Sequence, residues 1–174
     1  MYKDLDIQLY YLKKKVFDLN ELKLNKDLYT SNIFFNTKDF INFVKKHRDE
    51  YIDGNIFNMD GILTIKYKNK EIIPFECWDD ITSLLSYFLN ALEECIYSKT
   101  SEFFYPDQPL NVKLDLEGKN IDFTFEENTY RINKELFFNS FLEISQLYFE
   151  LIQNEFGLES YSYELSQINK LRNL

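Results

Sequence analysis

The sequence predicts an α+β fold in a single domain spanning residues 1–174, with a mostly antiparallel sheet packed by two to three long helices. Three observations carry this expectation. Between residues 78 and 97, Ile81, Leu84, Leu85, Phe88, Leu92, Cys95 and Ile96 recur at spacings of three and four, the period of one helix face. A second such set, Phe137, Phe141, Ile144, Tyr148, Leu151 and Ile152, begins after Asn133 and ends before Gly157, a capping residue and a stop signal. Residues 4–12, 110–116 and 121–125 instead alternate apolar and polar, as strands with one wet face do.

In chain order, Leu5, Ile7, Leu9 and Tyr11 alternate with Asp4, Asp6 and Gln8, so residues 4–12 read as a strand. Lys13-Lys14-Lys15 ends it as a solvated edge. Residues 18–31 show no period and read as irregular, and residues 32–35 fit a short strand. Asn36 or Thr37 then caps a helix that turns Phe40, Ile41, Phe43 and Val44 inward and stops near Ile52. Its Lys45, Lys46 and Arg48 suit the negative end of the helix dipole. Residues 62–67 and 71–75 read as a hairpin about Lys68-Asn69-Lys70, with Pro74 ending the second strand because it has no N–H to donate.

The helix at Trp78 follows, with Asp79 as its capping acceptor and Asp80 near the positive end of its dipole. Residues 98–108 read as a loop whose Phe103, Phe104 and Tyr105 pack down on the core. Strands at 110–116, at 121–125 and around Tyr130 and Ile132 make a meander, with residues 117–120 as its first turn. Its outward residues include Asp115, Asp122, Thr124 and Glu126. In the tail 158–174, Leu158, Tyr161, Leu165, Ile168 and Leu171 predict a short closing helix. All four glycines, Gly54, Gly61, Gly118 and Gly157, fall at predicted boundaries, which leaves none for a phosphate-binding loop.

A chain of 174 residues can bury a self-sufficient core, since a domain near this size hides about 70% of its unfolded surface. The 17 Phe and 13 Tyr read first as an aromatic-rich core and second as an aromatic binding face. The net charge of −9 disfavours nucleic acid, whose phosphates need cations, and suits a basic protein partner. The charge is uneven. Residues 1–50 carry 10 Lys/Arg against 8 Asp/Glu, whereas residues 101–174 carry 6 against 13. No apolar run approaches the ~20 residues of a membrane span, and no apolar segment behind a basic start marks a signal peptide, so neither membrane nor export is expected.

Cys77 and Cys95 lie too far apart along a helix-bearing segment to pair, and read as reduced thiols of a cytoplasmic protein. His47 is the only histidine, so a zinc site would need it to converge with both cysteines and a carboxylate. A nucleophilic Cys–His pair is open on paper, but Cys95 reads as core and His47 as the end of an exposed basic run. Asp79-Asp80, Glu93-Glu94 and Glu126-Glu127 are adjacent carboxylates, and neighbours on a helix point about 100° apart, which suits caps and solvated faces better than shared protons. The expectation is therefore a non-catalytic chain with no cofactor and no metal.

The order of elements from Gly61 to Phe138 resembles a family. A hairpin leads to Trp78-Asp79-Asp80, then to a Leu-rich helix with Asn90-Ala91-Leu92-Glu93-Glu94, then to Tyr105-Pro106-Asp107-Gln108-Pro109-Leu110 and strands. This resembles a group of small bacterial immunity-type proteins, partners of secreted polymorphic toxins. The chain departs from their pattern in having Leu85 where a second Trp is usual and Ile72-Ile73-Pro74 before Trp78. The resemblance implies a protein that binds and occludes a cognate toxin domain with a basic surface. Asp115, Asp122, Glu126 and Glu127 are the candidate partner-binding residues, followed by Glu93 and Glu94. The alternative is a small-ligand or regulatory domain with an aromatic-lined pocket near Phe103, Phe104 and Tyr105. A hydrolase built on Cys77 or Asp79 is the weakest reading.

Overall fold

The computed structural model describes residues 4–174, which form two larger antiparallel sheets and a small hairpin around a shared layer of helices. Strand β1 (Leu5–Leu12) buries Leu5, Ile7, Leu9 and Tyr11 as its alternation predicts. Helices α1 (Leu19–Leu24) and α2 (Lys26–Tyr29) then lead into β2 (Thr30–Asn32), which pairs with β1. The stretch expected to be irregular is thus mostly helical, because Asp18 caps α1 by accepting from the Asn20 N–H at 2.8 Å. The strand expected at 32–35 ends at Asn32, whose Oδ1 accepts from the N–H groups of Phe34 and Phe35 and turns the chain. The next helix splits into α3 (Thr37–Lys46) and α4 (Arg48–Tyr51), with His47 at the non-helical joint. Strands β3 (Ile52–Asp53) and β4 (Ile56–Phe57) form a small hairpin about Gly54.

Strand β5 (Asp60–Tyr67) is the centre of the first sheet. It pairs with β1 on one side. On the other it pairs first with β6 (Lys70–Ile73), then at its opposite end with β7 (Trp78–Asp80). Lys68 and Asn69 both take positive φ, as a tight hairpin turn requires, and Pro74 separates β6 from β7. Two expectations are corrected here. Trp78, Asp79 and Asp80 are strand, so helix α5 (Ile81–Ser98) begins later than its period suggested. Gly61 lies within β5, opposite Tyr11 on one side and Asp79 on the other.

After α5, Lys99 reverses the chain at φ +67 into β8 (Thr100–Phe104). This edge strand replaces part of the loop expected at 98–108. Strands β9 (Asn111–Glu117), β10 (Asn120–Phe125) and β11 (Asn128–Asn133) complete a second sheet in the order β11-β10-β9-β8. Helix α6 (Lys134–Phe156) is capped by Asn133, which accepts from the Leu136 N–H at 2.9 Å, and stops at Gly157 in the left-handed region. A 3-10 turn (Glu159–Tyr161) and α7 (Ser162–Arg172) supply the closing helix.

Both α5 and α6 pack against strands of the two sheets, so one core serves both. Phe88 of α5 is its meeting point, with ring centroids 4.7 Å from Phe141 of α6 and 4.8 Å from Phe103 of β8. The first sheet also covers a smaller apolar cluster on its other face, where Leu12, Leu22, Tyr29, Ile62 and Phe75 meet Trp78. At Gly61 a Cβ would lie 2.5 Å from the Tyr10 carbonyl oxygen, inside a three-strand ladder that cannot open cheaply. Gly61→Ala is therefore expected to cost about 1–3 kcal/mol, the range of overpacking in well-filled interiors, read from the urea midpoint at unchanged slope.

Candidate functional site

The site assembles where α5 begins. Asp80 is extended and caps the helix, with Oδ1 accepting from the Ser83 N–H at 2.7 Å. Its Oδ2 accepts from the Met59 N–H at 2.8 Å and ties the start of β5 to the helix. The cap is Asp80, not Asp79 as the sequence suggested, because β7 continues through Asp79 and turns that side chain inward. Asp79 is fully buried. It accepts from the Asp80 N–H at 2.7 Å and, with both oxygens, from the Asp107 N–H at 3.1 and 3.2 Å. Gln108 closes the junction by donating from Nε2 to the Trp78 carbonyl. The Trp-Asp-Asp and Pro-Asp-Gln-Pro segments therefore dock on each other and bolt the first sheet to the β8–β9 loop of the second. Burial raises the Asp79 pKa to about 6; the two N–H donors oppose this rise, and the nearby charges of Asp107 and Asp80 add to it.

Glu50, Tyr51, Asp60, Asp80, Ser83 and Asp107 line an open cleft of about 360 Å³ over this junction. Glu50 lies 3.3 Å from His47, but among the described residues no cation comes within ion-pair distance of Asp60, Asp80 or Asp107. The Asp60 pKa is raised, first by partial desolvation and then by Asp80 and Asp107, with Lys15 pulling it back. An adjoining cleft of about 580 Å³ shares Glu50, Tyr51 and Asp60 and carries Lys13, Lys14, Lys15, Phe43 and His47 on its other walls. Just past Lys15 the chain exposes Phe17 at 90% and Leu24 at 83%, with Leu19 and Leu28 also open. They lie on or next to α1 and α2, the helices whose Leu22 and Tyr29 join the smaller apolar cluster of the first sheet.

The carboxylates singled out from sequence do not converge. Asp115 and Asp122 do face each other across β9 and β10, as their alternation implied. Each already has a counterion. Lys113 lies 2.9 Å from Asp115, and Arg131 grips Asp122 through two hydrogen bonds of 2.7 Å. Hydrogen bonds from Thr100 and Lys113 hold Asp115 below the usual carboxylate range, and Arg131 does the same for Asp122. Glu126 sits at positive φ in the β10–β11 turn and accepts from the Asn111 N–H, beside exposed Glu127. Asn111 opens β9 directly after the loop that carries Asp107. Glu93 is committed elsewhere: it accepts from Gln167 at 2.7 Å and from Lys170, fastening α7 to α5. Glu94 is exposed on a shallow groove with Tyr87, Glu102 and Phe103.

Sequence reading missed Asp60 and Glu50 altogether and treated Asp107 only as part of a motif. No spacing rule joins them, because residues 50, 60, 80 and 107 meet only through the pairing of β5 with β7 and the docking of the β8–β9 loop.

The other chemical candidates resolve plainly. Cys77 and Cys95 are buried free thiols, and burial pushes Cys77 up to about 12 and raises Cys95. His47 packs tilted against Phe43 with ring centroids 4.9 Å apart. Among the described residues no cluster of His, Cys, Asp and Glu has metal-holding geometry. Tyr105 is buried and its hydroxyl has no partner among the described residues, while Phe103 packs on Phe88 and Tyr87. The aromatic pocket expected there is therefore only the shallow groove beside Glu94. Among the described residues no helix is long and apolar enough to cross a membrane. Comparison with protein-family models, curated proteins and solved structures finds no match.

Two outcomes are expected. A carboxyl whose pKa rises on folding binds its proton more tightly in the native state, so it favours folding most at low pH. Its contribution fades as pH climbs from the ordinary 3.8 to about 6. Asp79→Asn removes that slope, so the variant should gain on the wild type over this window by up to about 3 kcal/mol, measured by urea unfolding at stepped pH. The high thiol pKa of Cys77 should leave it unmodified by iodoacetamide at pH 8 in the native chain and promptly alkylated in urea, by mass spectrometry of the peptide.

Proposed function

We propose that this chain is a non-catalytic, immunity-type protein of the cytoplasm that binds a toxin domain with a basic surface and blocks it by covering its active cleft. One observation carries the reading: Asp60, Asp80 and Asp107 share a concave cleft with no counterion among the described residues, whereas Asp115, Asp122, Glu76 and Glu93 each have one. Like charges held together raise one another's free energy, and a partner's Lys or Arg entering the cleft relieves that cost. The bare apolar side chains of the α1–α2 stretch, Phe17, Leu19, Leu24 and Leu28, are the kind of anchor that dominates interface energy, while the carboxylates set encounter rate and partner choice. Glu126 and Glu127, exposed in the β10–β11 turn, are further candidate contacts. The resemblance of residues 61–138 to immunity-type proteins supports the same class of partner, and its two signature segments are those that build the cleft floor.

The test is a pull-down with the protein encoded immediately upstream, together with co-expression for protection from its toxicity. The complex is expected to weaken by at least about tenfold in Asp60→Asn/Asp107→Asn, as loss of desolvated charge pairs does, while the free variant unfolds at equal or higher urea. Association should slow as salt rises. Absence of a complex and of protection, or a complex indifferent to both substitutions, overturns the reading.

A further inference from the structure

At the opposite end of α5, about 25 Å from the carboxylate cleft by helix rise, lies a second concavity of the reverse charge. It is a half-enclosed cleft of about 250 Å³ between the end of α5, strand β9, the first turns of α6 and the end of α7. Its apolar walls come from Ile96, Leu116, Phe138, Leu142 and Leu171. Its rim carries the cationic side chains of Lys99, Lys134 and Arg172 and one acidic side chain, Glu135, with Asn139 and the terminal Leu174 beside them.

Three features suit this rim to an anion. Lys13, Lys14 and Lys15 are among the cations elsewhere with no ion-pair partner in the described residues, while Lys23, Lys45, Lys113, Arg131 and Lys170 lie within ion-pair distance of a carboxylate. None of the three rim cations does so among the described residues, and Arg172 donates only to the neutral Gln146. Lys134 also occupies the first position of a 23-residue helix, where the dipole disfavours a cation and favours an anion. Finally, the floor below these charges is apolar, so the cleft offers an anionic head a cationic rim and an attached chain a narrow strip of apolar surface.

We propose that this cleft binds a small amphipathic organic anion, a carboxylate carrying one short alkyl chain. Lys99, Lys134 and Arg172 hold the head, and Phe138, Leu142 and Leu171 hold the chain. The volume lies just under the range of sites for drug-sized ligands and admits one short chain, not a two-chain lipid. The excess of cationic side chains disfavours an amine of the same length. This site is independent of the proposed partner contact, which lies at the other end of α5.

The experiment titrates the full chain with octanoate, octanol, octylamine and acetate, following backbone amides by NMR. Octanoate is expected to bind saturably with Kd on the order of 0.1–1 mM, the affinity available to so few atoms, with shifts confined to residues around the cleft. Octanol and acetate each carry half of the chemistry and should bind at least about tenfold more weakly, as should Lys134→Ala/Arg172→Ala with octanoate. Both substituted residues reach solvent, and an unchanged urea midpoint confirms that the double variant is folded. No saturation by octanoate to about 10 mM, equal binding of octanol or octylamine, or octanoate binding that ignores the double substitution each overturns the proposal. Binding here with no toxin complex, or the reverse, separates this site from the partner reading.

Discussion

Two adjacent buried carboxylates hold together parts of the chain that no local rule would join. Asp80 binds the N–H groups of Met59 and Ser83, so the start of β5 and the first turn of α5 share one side chain. Asp79 binds the N–H of Asp107 and thereby fixes the β8–β9 loop of the other sheet. Removing either carboxylate would leave backbone donors without partners in an interior with little water, a loss of about 1–3 kcal/mol for each stranded group. The junction is also why α5 can belong to both sheets. It leaves one sheet at β7, crosses the core with Phe88 at its middle, and enters the other at β8.

The raised Asp79 pKa shows the cost of that arrangement. A carboxylate satisfied by two N–H groups would ordinarily ionise easily; this one does not, because burial outweighs the donors and two more aspartates stand nearby. Elsewhere the chain resolves its excess negative charge by pairing. The register of β9, β10 and β11 sets Asp115 opposite Asp122 and then Asp122 opposite Arg131, so a like-charge contact is neutralised within the same row. The second-sheet face is acidic by composition yet largely settled in energy, whereas the cleft at the head of α5 is not.

How much of this was legible in sequence follows from what is local. The alternation of β1 and β9, the capped span of α6, the hairpin turn at Lys68-Asn69 and the closing helix depend on periods and caps within a few residues, and each was readable. β7 was not, because three residues abutting a long helical period look like its first turn until β5 pairs with them. β8 was hidden for a different reason. Its inward positions are Ser101 and Phe103, and the buried Ser101 satisfies its hydroxyl by donating to the Ala91 carbonyl at 2.8 Å. A polar residue at a core-facing position erases the pattern that would have revealed the strand.

The site was less legible than the fold because charge can be counted in a sequence but its partners cannot. Asp122 and Asp60 are alike as letters. One ends beside Arg131 and the other beside Asp80 and Asp107, and only strand register and loop docking decide which. The same holds for cations. Lys170 and Lys134 both lie near helix ends, yet Lys170 finds Glu93 while Lys134 has no such neighbour among the described residues. What separates a settled surface from a receptive one is the charge left over after folding. In this chain part of that remainder lies at the two ends of α5, negative where the helix starts and positive where it stops. An isolated helix would prefer the same signs, since its own dipole is positive at the start and negative at the end. The dipole thus helps to explain why Asp80 and Lys99 are tolerated at those ends. It gives no such support to Asp60, Asp107, Lys134 and Arg172, which other elements contribute and which thereby enlarge each charge beyond what the helix can neutralise.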